Sequence, residues 1–306
     1  MLRFKFLATT IAAILLSTSA FAGVTFTTID NPSDPTFNQL LGINKNGVIS
    51  GYFGSGAAGH PNIGYTIAPP YTNFVSDNLP GSVQTQATGI SANLTTVGFW
   101  SPTDNGIGLD ANFGFIREAN GFTYLSVNNP LGSALPQVDQ LLGINASNIA
   151  VGFYNDATGA PHGYAYTVKT GVYTPVNVTG ATSDAATGIN AHNLICGFFT
   201  ISGITEGFVQ ALGNTGVVTT FAVPGATVTQ LLGINDAGLA VGFYIDANNI
   251  THGITYNPVN GNWNQVDAPG GVGGTVLNGI NDNDEAVGFY TDAAGNVHGL
   301  LAKGVK

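Results

Sequence analysis

Three aspartate–histidine pairs are the residues best suited to chemistry: Asp156 with His162, Asp246 with His252, and Asp292 with His298. All share one six-residue separation, with the Asp opening a turn and the His starting the strand behind it. That places carboxylate and imidazole across a hairpin from one another. Gathered near a common axis, the three imidazoles could serve as metal ligands or proton-transfer groups. Kept apart, each carboxylate holds its own imidazole and pins its turn. Comparison among copies of the segment favours the second reading. Ile63, Phe113 and Glu206 occupy the His position elsewhere, and the paired Asp is lost with it. Joint loss is how a local contact behaves.

Other chemistry is sparse. Trp100 and Tyr71 lie in or near segments that depart from the repeat, and either could stack on a sugar or pack internally. Cys196, the single cysteine, stands where sister copies carry Val151, Val241 and Val287, so it reads as a small buried apolar residue. One thiol excludes an intramolecular disulfide and any cysteine-based metal cluster. Asp282, Asp284 and Glu285 form an acidic cluster without EF-hand spacing, which reads as a solvated turn. The sequence holds no Gly-x-Ser-x-Gly elbow, phosphate loop, His-Glu-x-x-His or dinucleotide fingerprint, and His60 and His192 have no evident partners for a triad. No cofactor and no metal are expected.

The elements that position these residues come from a repeat. Gly-Ile-Asn or Gly-Ile-Ser begins at 42, 89, 143, 188, 233 and 279, at intervals of 47, 54, 45, 45 and 46 residues. The longer second interval is taken up by an insertion at 101–112, and copy 1 carries a smaller departure at 54–62. Within a copy, β-branched and aromatic runs alternate with turns of Asn, Asp, Gly and Pro, and no helical period is present. The Asn of each Gly-Ile-Asn suits an Asx turn. Four short antiparallel strands per period is the pattern of a propeller blade. The last copy has only three strands, whereas Val24–Pro32 reads like the fourth-strand motif at Asn262–Pro269. The chain is therefore expected to be an all-β, six-bladed propeller of four-stranded antiparallel blades. Its ring would be closed by the N-terminal strand, which removes exposed edges.

Residues 1–22 combine Arg3 and Lys5, an apolar run at 6–16 and Ala20-Phe21-Ala22, which predicts a signal peptide followed by one domain over 23–306. All 17 acidic residues follow residue 22, against five basic ones (Lys45, Arg117, Lys169, Lys303 and Lys306). A chain so acidic has no basic stripe for nucleic acid and no attraction to anionic lipid. A secreted or periplasmic protein, without membrane insertion after signal removal, is expected.

The pattern Gly-Ile-Asn-x-x-Gly-x-x-Val-Gly-x-Tyr, then Asp, then His-Gly and an apolar residue, resembles the extracellular HAF-repeat family of bacteria, best at 233–254 and 279–300. This chain departs from the pattern where His is missing, and in carrying Gly after His162, His252 and His298. The resemblance implies export and β-architecture, and supplies no catalytic residues. Recognition of a polysaccharide or protein by loops on one face is the expected function, performed as a monomer. A periplasmic lyase or hydrolase with its site in the central channel is the alternative.

Overall fold

Turn residues divide the described part of the chain into 24 short strands. The computed structural model describes residues 23–121, 123–213 and 217–306; the signal peptide expected over 1–22 lies outside them. Strand β1 is Thr25–Thr28. Repeat 1 forms β2 (Asn38–Ile43), β3 (Ile49–Phe53), β4 (Ile63–Ile67) and β5 (Phe74–Ser76). Repeat 2 forms β6 (Gln84–Ile90), β7 (Thr96–Ser101), β8 (Phe113–Arg117) and β9 (Tyr124–Val127). Repeat 3 forms β10 (Asp139–Ile144), β11 (Ile149–Asn155), β12 (Pro161–Thr167) and β13 (Val172–Val176). Repeat 4 forms β14 (Ser183–Ile189), β15 (Leu194–Ile201), β16 (Ile204–Ala211) and β17 (Val218–Phe221). Repeat 5 forms β18 (Val228–Ile234), β19 (Ala240–Ile245), β20 (Thr251–Tyr256) and β21 (Trp263–Gln265). Repeat 6 forms β22 (Gly274–Ile280), β23 (Glu285–Thr291) and β24 (Val297–Lys303).

The architecture is all-β, and the described residues contain no helix. Repeats 1, 2 and 3 each form a four-stranded antiparallel sheet, and β1-β24-β23-β22 forms another. There β1 pairs antiparallel with β24, Thr25 opposite Lys303 and Thr28 opposite Leu300. The repeat pattern predicts six separate sheets, but strand pairing gives five. Repeats 4 and 5 share an eight-stranded sheet. The cause is one parallel bridge, Thr205 to Val228, falling between residues that both belong to strands. Two bridges of the same kind, Phe37–Val297 and Asn112–Val138, stay isolated.

The inner strand of every repeat carries a β-bulge just before its Gly-Ile. The bulged strands approach so closely that only glycine fits. A Cβ placed on Gly42 would lie 2.9 Å from the Gly89 Cα, and one on Gly89 3.1 Å from the Gly143 Cα. The series continues at 3.1, 3.0 and 2.9 Å to Gly188, Gly233 and Gly279, and a Cβ on Gly279 would lie 3.3 Å from the Gly42 Cα. Just beyond, each Asn serves two purposes. Its Oδ1 accepts local backbone N–H groups, as Asn145 does from Ser147 and Ile149 at 3.0 and 3.1 Å. Its Nδ2 donates to the next repeat: Asn44 to the Ser91 carbonyl, Asn145 to Asn190, Asn190 to Asn235, Asn235 to Asn281, and Asn281 to Asn44. Ser91 keeps the turn, through the Thr95 amide, but cannot make the second bond.

Between sheets, Leu40, Leu141, Leu231 and Leu277 are fully buried, each stabilising by roughly 1.5–3 kcal/mol. Apolar clusters join neighbouring repeats, such as Leu40, Tyr65 and Ile67 with Val287 and Leu301. The joint of repeats 1 and 2 adds a buried ion pair, Arg117 Nε to Asp77 Oδ1 at 2.7 Å.

Candidate functional site

Every repeat is a meander, so its first-to-second and third-to-fourth strand loops share one end, and its second-to-third loops share the other with the connections between repeats. The three Asp–His pairs sit at the latter end, on β12, β20 and β24. Each is a local contact. His162 Nε2 lies 3.0 Å from Asp156 Oδ2, His298 Nε2 3.2 Å from Asp292 Oδ2, and His252 Nε2 a looser 3.6 Å from Asp246 Oδ2. Each Asp Oδ1 also accepts backbone N–H groups of its own turn, as Asp246 does from Asn248 and Ile250. Each imidazole lies beside the tyrosine opposite it, Tyr154, Tyr244 or Tyr290, at 5.0–5.5 Å between ring centres.

Two of the histidines have a second carboxylate that the six-residue spacing does not announce. His252 Nδ1 meets Asp267 Oδ2 at 2.8 Å, and His298 Nδ1 meets Asp30 Oδ2 at 2.7 Å. The other oxygen of each accepts the next backbone N–H, Gly253 or Gly299. The available signal was the recurrence of Val/Ile-Asp-x-Pro at 266–269 and 29–32. Repeat 3 has Asn177 at that place. Among these groups, the Asn296 backbone N–H and His298 hold Asp292 down to about 2. The Thr158 hydroxyl and His162 lower Asp156, and the Ile250 N–H lowers Asp246. Burial opposes protonation of His298, but its bonds to Asp30 and Asp292 prevail and raise its pKa above the usual imidazole range. Both ring nitrogens of His298 and the Nδ1 of His252 are thus engaged by carboxylates that a ligand would have to displace. The three histidines lie on three different strand meanders, and no group of three or more His, Cys, Asp or Glu is arranged to hold a metal ion among the described residues.

Trp100 and Tyr71, paired in the sequence as flanking the departures, occupy opposite ends of the molecule. Tyr71 follows β4, and its hydroxyl donates to the Gly47 carbonyl at 3.0 Å, so it braces a first-to-second strand turn. Trp100 lies near the end of β7, against Phe113 at 5.2 Å, and its buried indole N–H has no hydrogen-bond partner among the described residues. The two departures do meet at this second end: the Gly59 N–H donates to Asp104 Oδ2 at 2.8 Å. Asp110 ties down the longer loop, accepting from the Thr103 hydroxyl, the Asn105 N–H and Gln84 Nε2. Burial of Asp110 works against ionisation, but those donors outweigh it and lower its pKa.

Beneath the two loops, Asn62, Gln84, Gln86, Phe99, Trp100 and Asn112 surround a gap of about 30 Å³. At the joint of repeats 5 and 6 the equivalent gap opens to about 350 Å³, among Phe243, Phe289, Thr251, Thr291 and Asn278. Along the axis, the narrow waist is lined by the Gly-Ile pairs with Leu41, Thr88, Leu142, Thr187, Leu232 and Asn278, none of them ionisable. Cys196 is fully buried, which pushes its thiol up to about 12 and leaves no thiolate at neutral pH. No described helix is long and apolar enough to cross a membrane.

No family model and no curated protein matches this sequence. Solved structures do. TolB from Acinetobacter baumannii superposes with a TM-score of 0.54 at 8% identity, over 89% of this chain and 65% of that one. AofleA from Arthrobotrys oligospora gives 0.55 at 11%, over 91% and 85%. Trypanosoma rangeli sialidase, in complex with 2,3-difluorosialic acid, gives 0.56 at 7%, over 92% and 58%. This chain thus spans less than two thirds of the TolB and sialidase chains. At such identities the likeness is one of fold, and the fold is a β-propeller.

Proposed function

We infer that this chain is an exported, six-bladed propeller of the HAF-repeat kind, closed by its N-terminal strand, which recognises an extracellular polysaccharide or protein without turning it over. Six blades follow if the eight-stranded sheet is divided at its one parallel bridge, since like bridges elsewhere leave sheets separate. The glycine contacts from Gly42 through Gly279 and back, with β1 on β24, support closure. The observation that carries the recognition reading is the pair of irregular loops, 54–62 and 101–112, braced against each other at one end of a regular scaffold. Loops held by a rigid frame are where binding specificity resides. The waist of the channel lacks an ionisable group for proton transfer, and the ionisable groups of the channel, Lys45, Asp236 and Asp282, stand at its wider mouth.

The test is a panel of immobilised polysaccharides and extracellular proteins, with product release monitored in parallel. Retention without product release, lost when 103–109 is replaced by a two-residue turn, is expected. Product release, or retention indifferent to loop trimming, would count against this reading.

A further inference from the structure

We propose that the groove at the joint of repeats 5 and 6 takes one neutral hexopyranose unit of a polysaccharide. The proposal deepens the recognition reading and rests on it. Four inner strands carry a glutamine at one register position: Gln39, Gln86, Gln140 and Gln230, opposite Tyr52, Phe99, Phe153 and Phe243. Two of these amides bridge to the preceding repeat, Gln140 Nε2 by donating to Asn112 Oδ1 at 2.6 Å and Gln86 Nε2 by donating to Asn62 Oδ1. At the joint of repeats 1 and 2, Gln86 Nε2 donates to Asn62 Oδ1 at 2.8 Å and Gln84 Nε2 to Asp110 Oδ2 at 2.9 Å, leaving only about 30 Å³. Repeat 6 has Val276 at the glutamine position, opposite Phe289, and Gly274 in place of Gln84. The preceding strand has Thr251 in place of Asn62. With smaller side chains at these three positions, the joint holds a groove of about 350 Å³, within the range of small-ligand sites.

The lining defines the ligand class. It contains no ionisable side chain, so a charged ligand would lose water without gaining a counter-charge. Phe243 and Phe289 supply apolar faces. Neither the Thr251 nor the Thr291 hydroxyl has a hydrogen-bond partner among the described residues. Asn278 commits its Nδ2 to the Leu40 carbonyl at 3.0 Å and keeps Oδ1 available. A pyranose matches this mixture, laying its C–H face on a phenyl ring and directing hydroxyls at Thr and Asn. A wholly apolar group would bury those polar atoms unpaired.

Calorimetry of the folded protein with the methyl glycosides of glucose, galactose, mannose and fucose tests the proposal. Methyl glucuronide serves as the charged control and N-acetyl-phenylalaninamide as the apolar peptide probe. At least one neutral glycoside is expected to bind in preference to both controls. Val276→Gln, which installs the sister residue, should weaken it at least tenfold, and Ala185→Gln at the joint of repeats 3 and 4 should leave it unchanged. Should Val276→Gln fail to fold, Thr251→Val with Thr291→Val should produce the same loss. No binding of any neutral glycoside, equal binding by the filled-groove variant, or preference for the phenylalanine amide would overturn the groove. A polysaccharide still retained by Val276→Gln and released by trimming 103–109 would overturn the groove alone. Turnover of that polysaccharide would instead end the recognition reading.

Discussion

Alanine at Gly279 measures directly whether repeat 6 meets repeat 1. Neither Gly279 nor Gly143 has a positive φ, so alanine is acceptable to the backbone at both. In an open setting the substitution would stabilise by about 0.4–1 kcal/mol, through a less disordered unfolded chain. The structure places obstacles instead. The Gly279 Cβ would meet the Leu41 carbonyl oxygen at 2.8 Å and the Gly42 Cα at 3.3 Å. The Gly143 Cβ would meet the Thr187 carbonyl oxygen at 2.8 Å and the Gly188 Cα at 3.1 Å. Both obstacles are backbone atoms that cannot swing aside. Overpacking of this kind costs about 1–3 kcal/mol, so a net loss of roughly 0.5–2 kcal/mol is expected at each site. Urea unfolding of the two variants beside the parent resolves differences of that size by the shift in midpoint at constant slope. Equal losses mean that the joint of repeats 6 and 1 is as close as that of repeats 3 and 4. A neutral or stabilised Gly279→Ala beside a weakened Gly143→Ala would refute closure of the ring.

Arg117→Met leaves Asp77 buried without its cation and should cost about 3–5 kcal/mol, with Asp77→Asn in the same chain recovering part of it; equal stability of single and double variants in urea would show that the pair is not coupled. Asp139 is fully buried, and burial raises its carboxyl to about 6 despite bonds from the Tyr164 hydroxyl and the Asn129 N–H. Its contribution is therefore present below about pH 4 and lost as pH rises to about 6, a loss of up to about 3 kcal/mol. Asp139→Thr, matching Thr229 and Thr275, should remove that slope from a pH series of unfolding curves. His298 has a raised pKa, so its hold on Asp30 is fully present below the usual imidazole value and fades as pH climbs through the raised one. Hydrogen exchange at Phe26 and Ala302, which face each other across β1 and β24, should accelerate between pH 5.5 and 8 beyond the intrinsic base catalysis, and His298→Gln should abolish the excess.

The strands, the turns between them and the three Asp–His contacts were legible in the residues alone. They are local: period-two patterning, turn chemistry and a six-residue hairpin separation act within one repeat and recur in the next. The complementary half-motifs at 24–32 and 262–269 also foretold the pairing of β1 with β24, because the last sheet lacked a strand and the first segment had no sheet. What recurs in a sequence can be compared with itself, and that comparison favoured a structural role for the histidines.

Contacts between repeats were not legible. Asn281 reaches Asn44 across 237 positions, and no spacing rule operates at such range. The single bridge that merges repeats 4 and 5 depends on a local approach of Thr205 to Val228, and the separation of Trp100 from Tyr71 depends on which end of a meander each loop occupies. The groove at repeats 5 and 6 is a similar case. Val276 among four glutamines is visible in the repeat, but whether a smaller side chain leaves a void or lets its neighbours close in is decided by packing, which only the tertiary structure supplies.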